Sequence, residues 1–231
     1  MKKFALIGGI GPASTVKYYQ QIIDTYRQRL EKDEYPDISI RSINMTEMLH
    51  FVFEGDMDGL TDFLLGHIHV LENAGFESAA LASNTPHIVF DKLADKTDLN
   101  LISIVEEACK KIKADGLSQV ALFGTRSTMT AGFYQSTAKK YGIDIFIPDE
   151  KEIDYIHDRY FNELVFNNIQ SSTKANLLDI ARSSLNLKGI EGLVLGGTEL
   201  SLILEQSDFP EFTIYDTTSI HEQSIVSEIM R

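Results

Sequence analysis

The chain is 231 residues long, enough for one large domain or two of about 110 residues each, and either buries a real core. Apolar residues make up 43% and charged residues 24%, the balance of a soluble globular protein. Its 34 acidic against 21 basic residues give a formal charge of −13, which argues against nucleic acid and against anionic membrane surfaces, since both need a basic face.

The opening run Met1-Lys-Lys-Phe-Ala-Leu-Ile-Gly superficially resembles a signal peptide, but it is short, broken by glycines and stopped by Pro12. We read Phe4–Ile7 as a buried first strand. A helix is expected from about Ser14 to Leu30, then a strand at Ile38–Ile43. Residues 59–74 place Leu60, Phe63, Leu64, Ile68 and Leu71 on one helical face, and Ala79–Ala82 is a further buried strand. The stretch Ile104–Ile112 is helical and carries the single cysteine, Cys109, read as a small buried apolar residue. The same alternation then returns: strand Val120–Phe123, helix from about Thr130, and strand Ile143–Phe146. The acid-rich span Asp149–Asp158 reads as a solvated face. A helix over 173–187 bears Leu177, Ile180, Ala181 and Leu185, and a strand comes next at Leu193–Leu195. Strands alternating with helices imply parallel sheets covered on both faces, with ligands beyond the carboxyl ends of the strands. No stretch approaches the roughly 18 apolar residues that span a bilayer. One cysteine excludes a disulfide framework and a cysteine-based metal site and fits a reducing compartment, so we expect a cytoplasmic protein.

The chain also repeats itself. Gly75-Phe-Glu-Ser-Ala-Ala-Leu-Ala-Ser83 and Gly189-Ile-Glu-Gly-Leu-Val-Leu-Gly-Gly197 align 114 positions apart, each leading into a polar pair, Asn84-Thr85 and Thr198-Glu199. Ala5-Leu-Ile-Gly8 with Tyr18-Tyr-Gln20 matches Ala121-Leu-Phe-Gly124 with Phe133-Tyr-Gln135 at nearly the same offset. Two matches at this spacing indicate duplicated halves; a solenoid repeat is far shorter. A pseudo-twofold axis between such halves would present equivalent groups to opposite faces of one bound molecule, which suits a proton leaving one face of a carbon and returning to the other. We therefore expect an α/β fold of two similar, pseudo-twofold-related domains, each a parallel sheet flanked by helices, with the active-site cleft between them. The boundaries we expect are 1–100 plus 211–231 for the first and 101–210 for the second.

Five motifs carry a resemblance. Gly8-Gly-Ile-Gly-Pro-Ala-Ser-Thr15, Ala82-Ser-Asn-Thr-Pro-His87, Leu122-Phe-Gly-Thr-Arg-Ser-Thr-Met129, Leu195-Gly-Gly-Thr-Glu-Leu200 and Ile214-Tyr-Asp-Thr-Thr-Ser-Ile-His221 resemble, in order, the motifs of the aspartate/glutamate racemase family. The resemblance covers essentially the whole chain. It implies a cofactor-independent amino-acid racemase, homodimeric, in which one thiolate removes the Cα proton and a thiol on the other half donates one. Thiols suit the task because their pKa, about 8.5 unperturbed, can be brought near ambient pH. The resemblance also implies that the carboxylates of an amino acid or dicarboxylate are held by Asn84, Thr85, Thr125, Thr128 and Thr198, with backbone amides after the glycine turn at Gly9 and Ile10. No metal or cofactor is implied.

Both cysteine positions differ here. The first is Ser83, a hydroxyl of similar shape and far weaker acidity; the second is Gly197, which retains nothing that carries a proton. General acid–base groups contribute about 10²–10⁴-fold each, so losing both should abolish two-thiol racemisation. Ser83, His87 and Glu199 are the candidate replacement carriers. Ser83 also reads as an inert remnant, His87 as a structural histidine, Glu199 as a first-turn acid favoured by the helix dipole, and Asn84, Thr85 and Thr198 as helix caps. Where the family grips a distal carboxylate with cations, this chain offers His50, Asn167 and Asn168, leaving Arg126 as the best cation. His67 and His69 are two apart and share no helical face, so a metal site is rejected, and the Gly8–Gly11 run lacks dinucleotide spacing. Three readings stay open: a racemase with altered proton carriers, a catalytically silent amino-acid-binding or dicarboxylate-binding protein, and a different isomerase or lyase on the same scaffold.

Overall fold

The computed structural model describes residues 2–30, 33–210 and 212–231, the side chains of 184–188 excepted, so the Leu185 side chain lies outside the described residues. In chain order the elements are β1 (Phe4–Gly8), α1 (Pro12–Leu30), β2 (Ile38–Ser42), α2 (Met45–Glu54), α3 (Met57–Asn73), β3 (Ser78–Leu81), a 3₁₀ turn (Thr85–Val89), α4 (Phe90–Ala94) and β4 (Asn100–Ile102). Next come α5 (Ile104–Ala114), β5 (Gln119–Gly124), α6 (Arg126–Thr130), α7 (Phe133–Lys140), β6 (Asp144–Phe146), α8 (Glu150–Asn162) and α9 (Ser171–Lys188). The chain closes with β7 (Gly192–Gly196), 3₁₀ turns at Leu200–Leu202 and Gln206–Asp208, β8 (Thr213–Asp216) and α10 (Thr217–Ile229).

The strands form two four-stranded parallel sheets of identical topology, β2-β1-β3-β4 and β6-β5-β7-β8. Each sheet organises one compact unit, Met1–Ile104 with Thr218–Arg231 in one case and Val105–Thr217 in the other. The α/β class and the duplication thus appear directly in strand order. The second unit extends to Thr217 because β8 pairs with β7, Leu193 opposite Ile214 and Val194 opposite Tyr215.

In the first unit the period of two along the strands splits the core into two layers. Ala5 and Ile7 of β1 with Ala79 and Leu81 of β3 pack against Met48, Leu60, Leu64, Ile68 and Leu93 from α2, α3 and α4. Their neighbours Phe4, Leu6, Ala80 and Ala82 point the other way, onto Tyr18, Ile22 and Tyr26 of α1 and Ile225, Val226 and Ile229 of α10. Strands buried on both faces disfavour polar side chains, and apart from Ser78 of β3, which donates to Glu228, the polar side chains here come after the strand ends. In the second unit Val120–Phe123 and Leu193–Leu195 are likewise buried. There the helices turn inward Ala108 and Ile112, Tyr134 and Ala138, Ile153, Ile156 and Tyr160, and Leu177 and Ala181.

The helix expected from about Thr130 is α7, which starts at Phe133; the short α6 before it is an unanticipated element, and Gly132 with φ 83° separates the two. The acid-rich span is not merely a solvated face: it is α8, opened by a capping box in which Asp149 and Glu152 satisfy each other's backbone amides. Among the described residues no helix is long and apolar enough to cross a membrane.

Leu64 sits fully buried in the larger core layer of the first unit. Leu64→Ala should destabilise that unit by about 2–5 kcal/mol, since the cavity adds to the lost transfer energy. Urea unfolding monitored by circular dichroism reads this, and a cost near zero would show that α3 is not anchored as described.

Candidate functional site

In each unit the sequence-selected residues gather at the carboxyl ends of the two central, neighbouring strands. Gly9 and Ile10 follow β1, while Ser83, Asn84 and Thr85 follow β3, its direct partner. Thr125, Arg126 and Thr128 follow β5; Gly197, Thr198 and Glu199 follow β7, again its partner. The side chains of Ser83, Asn84, Thr85, Thr125, Thr128, Thr198 and Glu199 are all buried.

The turn after β1 is drawn tight by Thr15. Its hydroxyl oxygen accepts the Gly9 amide at 2.8 Å and donates to the Gly11 carbonyl at 3.1 Å. A Cβ on Gly8 would stand 2.8 Å from that same oxygen, so only glycine lets the threonine in. The turn after β5 uses the same pair of residue types. Thr125 caps α6, its hydroxyl accepting the Thr128 amide at 3.2 Å and lying 3.0 Å from the Thr128 hydroxyl. A Cβ on Gly124 would lie 2.9 Å from Thr128 Cγ2 and 2.9 Å from the Gly196 carbonyl oxygen.

His87 is fully committed to backbone. Its Nε2 accepts the Ile104 amide at 3.2 Å, which leaves the proton on Nδ1 to be donated to the Ser83 carbonyl at 2.9 Å. The ring stacks on Phe90 at 4.9 Å and meets His221 edge-on at 6.5 Å. His221 in turn donates from Nε2 to the Ile102 carbonyl and accepts the Tyr18 hydroxyl at Nδ1, both at 3.0 Å. Desolvation, and then the nearby His221, lowers the His87 pKa from 6.5 to about 3. A neutral ring with both nitrogens taken holds the turn after Ser83 in shape and has no free nitrogen to offer a substrate proton.

At the end of β7 the arrangement was not visible from sequence. Tyr160 of α8, almost fully buried, donates its hydroxyl to Glu199 Oε2, and Thr198 Oγ1 lies 2.6 Å from the same oxygen. Thr198 and Glu199 therefore serve each other and Tyr160; neither Glu199 nor Asn84 makes a side-chain cap to the turn it precedes. A Cβ built on Gly197 would stand 2.5 Å from Tyr160 Cε2. The only sequence signal for Tyr160 is the inward spacing Ile153, Ile156, Tyr160 within an otherwise charged span.

Arg126 is not a free cation. Its guanidinium bonds Glu150 at 2.6 Å and also Asp154, and its amide donates to His157 Nδ1 at 3.2 Å. All three partners lie on one face of α8. Cys109 is buried in α5, where desolvation and then Glu106 push its thiol up to about 12. Among the described residues no three His, Cys, Asp or Glu side chains come together as a metal-binding group.

The profile of the Asp/Glu/Hydantoin racemase family matches residues 7–225. The chain is similar to an aspartate racemase homologue from Pyrococcus horikoshii, at 34% identity and a TM-score of 0.86 over 100% of both chains. It superposes on a candidate Asp/Glu racemase from Yersinia pestis with a TM-score of 0.92, at 27% identity over 100% of both chains. Over 158 residues it is 27% identical to the broad specificity amino-acid racemase RacX of Bacillus subtilis, covering 62% of this chain and 63% of RacX.

The buried His87 has a folded-state pKa depressed from 6.5 to about 3, so the unfolded chain binds the extra proton between those limits. Its contribution to stability is complete above about pH 6.5 and is lost as pH falls, at up to about 1.4 kcal/mol for each pH unit. Urea midpoints between pH 7 and pH 5 should fall accordingly, and His87→Gln should flatten the slope by about one proton. A slope that His87→Gln leaves unchanged would place the titration elsewhere.

Proposed function

Because the chain belongs to the Asp/Glu/hydantoin racemase family, we propose that it binds an α-amino acid at these strand ends and does not carry out two-thiol racemisation. The observation that carries the reading is the state of the only thiol. Cys109 is buried on α5 with its pKa pushed up to about 12, and Ser83 and Gly197 occupy the two positions at which the family motifs place cysteine. A base that removes a Cα proton works best with a pKa near the operating pH. A serine hydroxyl lies far above that range, and glycine has no group to titrate. Each missing carrier costs about 10²–10⁴-fold, or on the order of 3–5 kcal/mol of barrier.

The binding half of the reading rests on the residues that remain. Asn84 and Thr85 follow β3, and Thr125, Thr128 and Thr198 follow β5 and β7, polar turns of the kind that meet a ligand carboxylate, although the Gly9 amide is taken by Thr15 and the Thr198 hydroxyl by Glu199. His87 positions the Ser83 turn, and Glu199 is held by Thr198 and Tyr160. Arg126 contacts a ligand only by exchanging its two carboxylates on α8. The names of the relatives, an aspartate racemase homologue and a broad specificity amino-acid racemase, support an α-amino acid without choosing its side chain. The same reading has the protein acting in the cytoplasm without a cofactor, as a homodimer; light scattering at micromolar concentration tests the last point, and a monomer refutes it.

Proton NMR of L- and D-aspartate and glutamate with the protein in deuterated water separates binding from catalysis. We expect no protein-dependent loss of the Cα proton signal. A bound amino acid at about 100 times its Kd should still add ~2.7 kcal/mol of stability, raising the melting midpoint by about 5–10 °C. Protein-dependent exchange that disappears in Ser83→Ala would instead establish Ser83 as a working base and return the chain to the enzymes.

A further inference from the structure

Gly197 is glycine for a reason the backbone does not supply. Its φ lies outside the left-handed region, so an L side chain is conformationally acceptable there. The obstacle is Tyr160. A Cβ at residue 197 would lie 2.5 Å from Tyr160 Cε2, 3.2 Å from Cζ and 3.3 Å from the phenol oxygen. These atoms belong to a buried ring anchored at its hydroxyl. Ile153 and Ile156, buried on the same helix, set the inward face of α8. The hydroxyl bonds Glu199 Oε2, and Thr198 Oγ1 bonds that same carboxylate oxygen at 2.6 Å.

Resting on the amino-acid-binding reading above, we infer that Tyr160 is the specificity-determining residue at the end of β7. It fills the volume from which residue 197 would project a proton carrier, so a ligand there meets a fixed aromatic wall. The residues at 160 and 197 are therefore coupled: a side chain can return to 197 only when Tyr160 is shortened. Burial, and then Glu199, raise the phenol pKa well above 10, so the ring remains a neutral O–H donor committed to its carboxylate. The side chain of an amino-acid ligand is accordingly selected by the space that Tyr160 leaves.

A double-mutant cycle on the full chain tests the coupling without any ligand. Gly197→Cys should lower the melting midpoint on the order of 5 °C while Tyr160 is present, through overpacking, and add no loss in a Tyr160→Ala background. The new thiol should react with a disulfide reagent at least ~10-fold faster in the double variant, Cys109 giving only a slow background. If Tyr160→Ala does not fold, Tyr160→Leu keeps an apolar filler and completes the cycle. Equal losses in both backgrounds would overturn the coupling. Titrations with alanine, aspartate, glutamate and phenylalanine then test specificity: shortening Tyr160 should shift preference toward the bulkier amino acids by ~10-fold. An unchanged ranking would overturn that role. Absence of binding by either protein would refute the amino-acid reading beneath it, and with it the specificity role, while the cycle alone would still decide whether Tyr160 takes the place of residue 197.

Discussion

The close approach of a threonine to a strand-ending glycine governs the groups that both units can present. Beyond β1, Thr15 occupies space that any Cβ on Gly8 would claim, and its oxygen accepts the Gly9 amide while donating to the Gly11 carbonyl. Beyond β5, Thr128 crowds Gly124 in the same way, with Thr125 capping the adjoining helix. In the central strands Phe4–Gly8, Ala79–Leu81, Val120–Gly124 and Gly192–Gly196 are buried and carry only apolar residues and glycine. Polar chemistry is thereby confined to the few residues after each strand, and the glycine–threonine packing decides how tightly those residues turn.

The second unit adds α8 to that arrangement, and one helix performs two tasks on two faces. Inward, Ile153, Ile156 and Tyr160 pack onto the sheet, and Tyr160 reaches Glu199 and the Gly197 backbone. Outward, Glu150, Asp154 and His157 engage Arg126. The exposed ion pairs are worth only about 0–1 kcal/mol each. Their larger effect is electrostatic: in a chain of net charge −13, the cation nearest the Thr125 turn is already neutralised. An anionic ligand gains from Arg126 only the difference between its own carboxylate and the two it displaces.

Much of this was legible in the residues. The matches at Gly75/Gly189 and Ala5/Ala121 anticipate two sheets with the same strand order, because each half carries the same succession of apolar runs and helices. The polar motifs fall at strand ends because a run buried on both faces cannot hold them. Other features depend on contacts that no local pattern encodes. β4 and β8 mix polar with apolar residues, so neither stands out as an unbroken apolar run. Helix α8 hides among charges that face water on its other side. The commitment of His87 requires the amide of Ile104, and the filling of the 197 position requires a tyrosine 37 positions earlier. Both are tertiary facts, set by how helices dock and not by the residues next in sequence after a strand.

Chemistry and fold are separable in this architecture. The stability of the first unit sits in two apolar layers on either side of β1 and β3, and its turns are set by Thr15 and by the histidine pair behind Ser83. None of those contacts uses the side chain of residue 83. At the end of β7 the strand is secured by pairing with β5 and β8, and residue 197 contributes only backbone. The sheets and turns therefore make no demand on the side chains at positions 83 and 197. The space beside Gly197 is another matter, since close-packed interiors do not tolerate empty space at a strand end. Tyr160, anchored by a buried carboxylate, fills it: a side chain added at 197 meets the ring, whereas shortening residue 160 opens a cavity.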